Sequence, residues 1–198
     1  MKNIKINNDN SQNFIGCWDI ENDKLCNNII SFFESNVSLQ QQGKTASGIN
    51  EKIKKSTDIT IDPRNLKNPK YDIFNDYFKS LNNCFIDYTN QYPFIKTFLK
   101  KSNIGHFNIQ KYLPGDHFSH LHSERTGISS LHRIFAWMTY LNNVDDGGTT
   151  DFEYFNIKIK PKVGKTLIWP SEWTHAHTGS VLNNGSKYII TGWIHFAD

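Results

Sequence analysis

All eight histidines of the 198-residue chain lie between His106 and His195, and none lies in the first half. Within that stretch, His122-Ser123-Glu124 sets an imidazole and a carboxylate two positions apart. In a strand, residues i and i+2 share a face, about 6.6 Å apart at a rise of ~3.3 Å, so two long side chains there converge on one ion. On a helix the same pair diverges. A third donor must come from elsewhere, and His175 and His177 lie in a later β-rich run. Both would face the same side of a regular strand, so alternation does not choose between them. Two imidazoles and one carboxylate on one side of an iron(II) ion leave three coordination positions open for reactants. The tripeptide alone is a weak signal, because a surface histidine beside a solvated glutamate reads the same way.

Positioning such a cluster falls to a chain of two textures. Residues 21–36 place Leu25, Ile29, Phe32 and Phe33 at spacings of three and four, which predicts an amphipathic helix capped by Asn22 or Asp23. Residues 71–92 repeat the pattern with Ile73, Phe74, Tyr77, Phe78, Leu81, Phe85 and Tyr88, and Tyr92-Pro93 ends or interrupts that helix. Between them, residues 40–68 read as polar surface loop with a short strand at 58–61; the stretch is either a lid over a substrate or a mobile loop. From about Ile104 short β-rich runs take over, at 107–112, 134–141, 155–159, 165–169, 175–181 and 187–196. Turn signals such as Pro114-Gly115 and Asp146-Gly147-Gly148 separate them. Helices followed by many short strands predict one α+β domain over residues 1–198. Its first part, 1–103, is mainly helices and loops, and 104–198 is a β-core that carries the histidines.

Composition limits the partners. The balance of 22 basic against 19 acidic residues, a net charge of +3, gives no strong pull toward nucleic acid or membrane. No apolar run approaches the roughly 20 residues that span a bilayer. The opening residues MKNIKINNDNSQN lack the apolar stretch of a signal peptide. Three widely spaced cysteines, Cys17, Cys26 and Cys84, exclude a disulfide framework and most thiolate zinc sites. These features predict a cytoplasmic protein with no nucleic-acid or membrane partner; the oligomeric state stays open.

From Ile109 to Phe196 the chain resembles the iron(II)/2-oxoglutarate-dependent dioxygenases of the prolyl 4-hydroxylase type. The resemblance is carried, in order, by Tyr112-Leu-Pro-Gly115-Asp-His-Phe118 and His122-Ser-Glu124, then Arg133 with Tyr140-Leu141-Asn142. It continues through Gly147-Gly148-Thr149-Thr150-Asp151-Phe152 and Pro161-Lys-Val-Gly164-Lys-Thr-Leu167-Ile-Trp169, and closes on His177, Gly185, Lys187 and Trp193. It implies a double-stranded β-helix (jelly-roll) core packed against the N-terminal helices. It also implies His122, Glu124 and His177 as ligands of Fe(II), with His177 preferred over His175 by its spacing to Gly185 and Lys187. The family's carboxylate is usually aspartate. Glutamate keeps the charge and the oxygen donor, and its extra methylene changes only the geometry.

The resemblance further implies that 2-oxoglutarate binds with its far carboxylate on Lys187, supported by Tyr140, with Tyr112 beside the metal-bound end and Thr191 as a further donor. A lysine amid Tyr188-Ile189-Ile190 is itself costly to bury without an anion. Trp193 and Trp137 are either pocket lining or core. Arg133 is a substrate contact, a support or a surface pair, and Arg125 faces away from the iron by strand parity. His117, His120, His106, His132 and His195 read as strand-edge or supporting polar residues. The implied reaction is oxidative decarboxylation of 2-oxoglutarate to succinate and CO2, coupled to C–H hydroxylation by O2 of a peptidyl proline or a small molecule. Ascorbate is an optional reductant. The alternatives are a non-oxygenase metal protein of cupin type and an inactive jelly-roll binding module.

Overall fold

The computed structural model describes residues 1–6, 12–45 and 47–197. Helix α1 (Asp23–Ser35) starts where Asn22 Oδ1 accepts the Leu25 N–H at 3.0 Å, satisfying one of the unpaired first-turn donors. It buries Leu25, Cys26, Ile29 and Phe33, one face of the predicted helix. Helix α2 (Asp72–Gln91) buries Phe74, Tyr77, Leu81, Cys84 and Tyr88 in the same rhythm and stops at Tyr92, before Pro93. Full burial of a large apolar side chain is worth roughly 1.5–3 kcal/mol, so these rows hold both helices to what lies beneath them.

Beneath them are two antiparallel sheets. In chain order the strands are β1 (Lys2–Asn3), β2 (Gly16–Asp19), β3 (Gln41–Gln42), β4 (Thr57–Ile61), β5 (Ser102–Ile104), β6 (Phe107–Tyr112) and β7 (Phe118–His122). There follow β8 (Arg133–Tyr140), β9 (Thr150–Phe152), β10 (Ile157–Ile159), β11 (Lys165–Pro170), β12 (His177–Gly179) and β13 (Lys187–Phe196). The large sheet runs β1-β2-β11-β8-β13-β6-β4-β3, with β5 also on β13; the small one runs β10-β9-β12-β7. Central strand β8 is buried on both faces, and alternation divides its residues. Phe135 and Trp137 join the core under the helices, whereas Ala136, Met138 and Tyr140 join a second core with Phe152, Ile157 and Ile159 of the small sheet. The layers are therefore helices, large sheet, small sheet. Tyr77 of α2 reaches Thr139 at 2.8 Å, and Thr139 in turn meets Thr166, pairing polar groups that the helix layer would otherwise bury alone.

Several boundaries depart from the sequence reading. Residues 155–159 shorten to β10, because Glu153–Phe155 forms a 3-10 turn that ends on Asn156 in the left-handed region. The mainly helical first part also supplies β1 to β4 and the start of β5 to the large sheet, of which only β4 was expected. Strand β2 is four residues long and buried on both faces, Trp18 in the core under the helices and Cys17 in the second core, so it shows no alternation to read. Among the described residues no helix is long and apolar enough to cross a membrane, and the three cysteines are buried and free.

The stretch 40–68 is tied into this framework. Strand β4 pairs with β6, and Lys55 exchanges both backbone hydrogen bonds with His117, at 2.8 and 3.1 Å, against the start of β7. Lys54 is 3% exposed and forms an ion pair with Asp58, which also accepts from Ser56 Oγ at 2.8 Å. Removing one member of a buried pair strands the other charge. Lys54→Ala is accordingly expected to cost about 3–5 kcal/mol in urea unfolding, whereas replacing Lys54 and Asp58 together by apolar residues recovers most of that loss.

Candidate metal centre

His122 is the last residue of β7, and His177 is the first of β12, directly opposite it in register. Their rings lie 4.4 Å apart between centroids. Phe118 stacks on His122 at 3.8 Å, and Phe152 and Trp169 pack around His177. Glu124 lies just past the end of β7, in a bend. Strand parity is therefore not what brings it to His122, contrary to the sequence argument; the chain turning out of the strand does. Glu124 Oε1 stands 3.5 Å from His177 Nε2. One donor atom each from His122, Glu124 and His177 falls within 4.8 Å of the others, a spacing suited to one shared ion.

Both rings are oriented by main-chain carbonyls. His122 Nδ1 lies 2.8 Å from His120 O, and His177 Nδ1 lies 2.9 Å from His175 O. A carbonyl oxygen only accepts, so each Nδ1 carries a proton, and Nε2 is the nitrogen whose lone pair a neutral ring offers to an ion. Burial, reinforced by the neighbouring His177, holds the His122 imidazole down to about 4, so the ring is neutral, the form that binds metal. His175 sits in a 3-10 turn (Trp173–His175) before β12, not on a strand shared with His177. Its Nε2 donates to Asn13 O at 2.9 Å and its Nδ1 meets Thr174 Oγ1 at 3.0 Å. Both nitrogens are engaged away from the cluster.

On the same side of the large sheet, Lys187 opens β13 and is 3% exposed. Its Nζ donates to Gly148 O at 3.1 Å and stands 4.1 Å from the centre of the Tyr112 ring. Among the described residues no carboxylate lies within ion-pair distance of it. Burial pushes its ammonium down to about 8, and the more distant Asp151 only partly offsets this. Gly148 has φ +66°, and a Cβ there would come within 3.1 Å of Lys187 Cδ, so the glycine lets the carbonyl reach the ammonium.

Residues 107–195 match the family model described as the 2OG-Fe(II) oxygenase superfamily. Over that stretch the β-core is similar to the members of that superfamily. Among curated proteins the chain is 27% identical over 128 residues to the probable prolyl 4-hydroxylase 9 of Arabidopsis thaliana, covering 52% of this chain and 44% of that one. It is 30% identical over 130 residues to the probable prolyl 4-hydroxylase 7 of the same plant, covering 50% and 40%. The chain thus spans less than half the length of the curated relatives it matches. Among solved structures, a viral collagen prolyl hydroxylase from Paramecium Bursaria Chlorella virus-1, in its 2OG complex, superposes with TM-score 0.66 at 18% identity, covering 93% and 97% of the two chains. A Pseudomonas putida prolyl-4-hydroxylase gives 0.71 at 15%, covering 94% and 95%. At these identities the likeness is one of fold.

The remaining residues singled out in sequence fall into place around this β-core. Tyr140 is fully buried, and its hydroxyl is held by Thr150 Oγ1 at 2.6 Å and Ile159 O at 3.2 Å. Thr191 lies on β13 four residues past Lys187 and donates to Trp137 O at 2.8 Å. Tyr112 donates its hydroxyl proton to Gln110 Oε1 at 2.7 Å, and Gln110 Nε2 faces Asp58 at 3.4 Å. The carboxylate fixes which end of the amide meets the tyrosine, so Tyr112 offers its ring to Lys187 while its proton is engaged elsewhere. Trp137 packs against Tyr77, Phe78 and Phe107 under the helices and does not line the metal side. Arg125 turns away from the cluster, onto Glu172 and Arg133 O. His117 accepts the Ser119 N–H at the edge of β7, and His132 and His195 pair edge to face far along β13. Sequence reasoning did not single out Thr150, Gly148 or Phe118, although all three sit inside the motifs that carried the resemblance. It had no signal for Asp58 and Gln110, 52 residues apart.

Proposed function

We propose that this chain is an Fe(II)- and 2-oxoglutarate-dependent hydroxylase acting on a peptidyl proline or a small molecule, on a jelly-roll core within a single domain. The observation that carries the reading is the convergence of two imidazoles and one carboxylate, together with a buried lysine that among the described residues has no carboxylate within ion-pair distance. His122 and His177, each with its proton fixed on Nδ1, and Glu124 would hold the iron. Lys187 would take the far carboxylate of 2-oxoglutarate, its charge held over the Tyr112 ring until the dianion arrives. Tyr140 and Thr191 supply hydroxyls on the same side of the sheet, and Tyr112 serves as a platform. Iron, 2-oxoglutarate and O2 together supply the oxidation, in which the keto acid leaves as succinate and CO2 and one oxygen atom enters a C–H bond.

A buried lysine of this kind has no use in a cupin-type metal protein or an inactive binding module, which is why those readings are set aside. A peptide substrate is in keeping with the names of the relatives, all prolyl 4-hydroxylases. The three buried thiols suit a reducing, cytoplasmic setting. The test is succinate release with Fe(II), ascorbate and 2-oxoglutarate, screened over proline-containing peptides and free amino acids. Expected is iron-dependent succinate, stimulated by at least one substrate. No iron-dependent succinate under any condition would overturn the reading.

A further inference from the structure

We infer that Trp193 is a positioning residue for Glu124, and that its indole N–H is what makes a glutamate the working carboxylate at this position. The inference rests on the reading of His122, Glu124 and His177 as metal ligands. The two oxygens of Glu124 have different surroundings. Oε2 accepts the Trp193 Nε1–H at 2.6 Å, and Oε1 is turned toward His177 Nε2 at 3.5 Å. An indole N–H can only donate, so this contact draws Oε2 toward Trp193 and leaves Oε1 as the oxygen turned to the His177 side. A one-oxygen ligand keeps a coordination position free that a two-oxygen carboxylate would close.

The tryptophan is itself held. The Arg133 guanidinium lies 3.8 Å from the centre of the Trp193 ring, and Arg133 Nη1 donates to Glu124 O at 3.0 Å. One arginine therefore braces the indole and the backbone of the residue it serves, which gives Arg133 a supporting place. Glu124 stands in the bend beyond β7, and Trp193 lies on β13 of the other sheet. Aspartate is shorter by about one C–C bond, ~1.5 Å. From the same backbone an aspartate that keeps its place beside His177 gives up the indole contact.

The experiment is a Co(II) titration followed by visible absorption and by quenching of protein fluorescence. It uses the wild type, Trp193→Phe, Glu124→Asp and the double variant, each checked for an unchanged far-ultraviolet spectrum and melting temperature. Expected is a Co(II) Kd raised roughly 10–100-fold in Trp193→Phe, the usual effect of losing a partner that orients a ligand. Its absorption bands are expected to shift in position and intensity as the freed oxygen changes the coordination. In the Glu124→Asp background, removing the indole should change Kd less than about twofold, since the paired contact is already gone. Trp193→His retains a ring N–H and should restore part of the affinity; it also serves as the second variant if phenylalanine does not fold. A Kd within twofold of wild type with unshifted bands in Trp193→Phe would overturn the inference, as would an equal loss in both backgrounds. Absence of Co(II) binding by the wild type sinks the metal reading itself, which keeps the two failures apart.

Discussion

Lys187→Met is expected to abolish 2-oxoglutarate binding while making the empty protein more stable. The lysine is buried, bonded to Gly148 O and placed over the Tyr112 ring, and among the described residues no carboxylate lies close enough to neutralise it. Burial lowers its ammonium to about 8. In the unfolded chain the same group titrates near 10.4, so from about pH 8 to 10.4 the unfolded state holds more protons and stability rises with pH. Below pH 8 both states are charged and the full burial penalty is felt. Methionine keeps the stem and removes the charge, so a gain of about 1–3 kcal/mol is expected at pH 7 and should shrink toward zero above pH 10. Denaturant unfolding of both proteins across that range measures it. The same titration governs ligand affinity with the opposite sign. Calorimetric binding of 2-oxoglutarate to the wild type should weaken as pH rises through 8, and in Lys187→Met it should be undetectable at every pH. Unimpaired binding by Lys187→Met would show that the dicarboxylate is held elsewhere.

His177→Ala is expected to lose tight metal binding, and His175→Ala to keep it. The two histidines are two positions apart, and composition treats them alike. His177 presents a free Nε2 to Glu124, whereas His175 spends both nitrogens on Asn13 O and Thr174. Loss of one of three ligands should weaken Fe(II) or Mn(II) by at least about a hundredfold and remove succinate release with it. His175→Ala instead unpairs Asn13 O in a buried place, so it should cost about 1–3 kcal/mol of stability and leave the metal Kd within a few-fold of wild type. Equilibrium dialysis and thermal melts of the two variants separate these outcomes. The reverse pattern would move the third ligand to His175.

The parts of the fold that were legible share a physical character. Helices α1 and α2 announce themselves because a repeat of three and four over a dozen or more residues has few other solutions. The β-core was legible as a succession of short runs between turn signals, and the Gly147-Gly148 turn reflects a requirement written into the backbone. Both residues have positive φ, and a Cβ on Gly147 would stand 2.2 Å from Val181 O. Strand β2 and the pairing of Lys55 with His117 were not legible, because a short stretch reveals its partners only once it is paired. The argument that His122 and Glu124 meet through strand alternation reached the right neighbours by the wrong geometry.

By itself, then, the sequence determined residue types, local periodicity and the order of the motifs along the chain. These sufficed to nominate His122, Glu124 and Lys187 and to expect helices stacked on a β-core. Only the tertiary structure shows which nitrogen of each imidazole meets a carbonyl, that His175 is engaged by Asn13 and Thr174, and that Trp193 and Arg133 both bond to Glu124. Only it shows that the proton of Tyr112 points to Gln110 and Asp58. Each of these is a hydrogen bond or ring contact whose donor direction depends on a group elsewhere in the fold, 69 residues away for Trp193 and Glu124. Spacing along a chain carries no information about such directions until the sheets have brought the groups together.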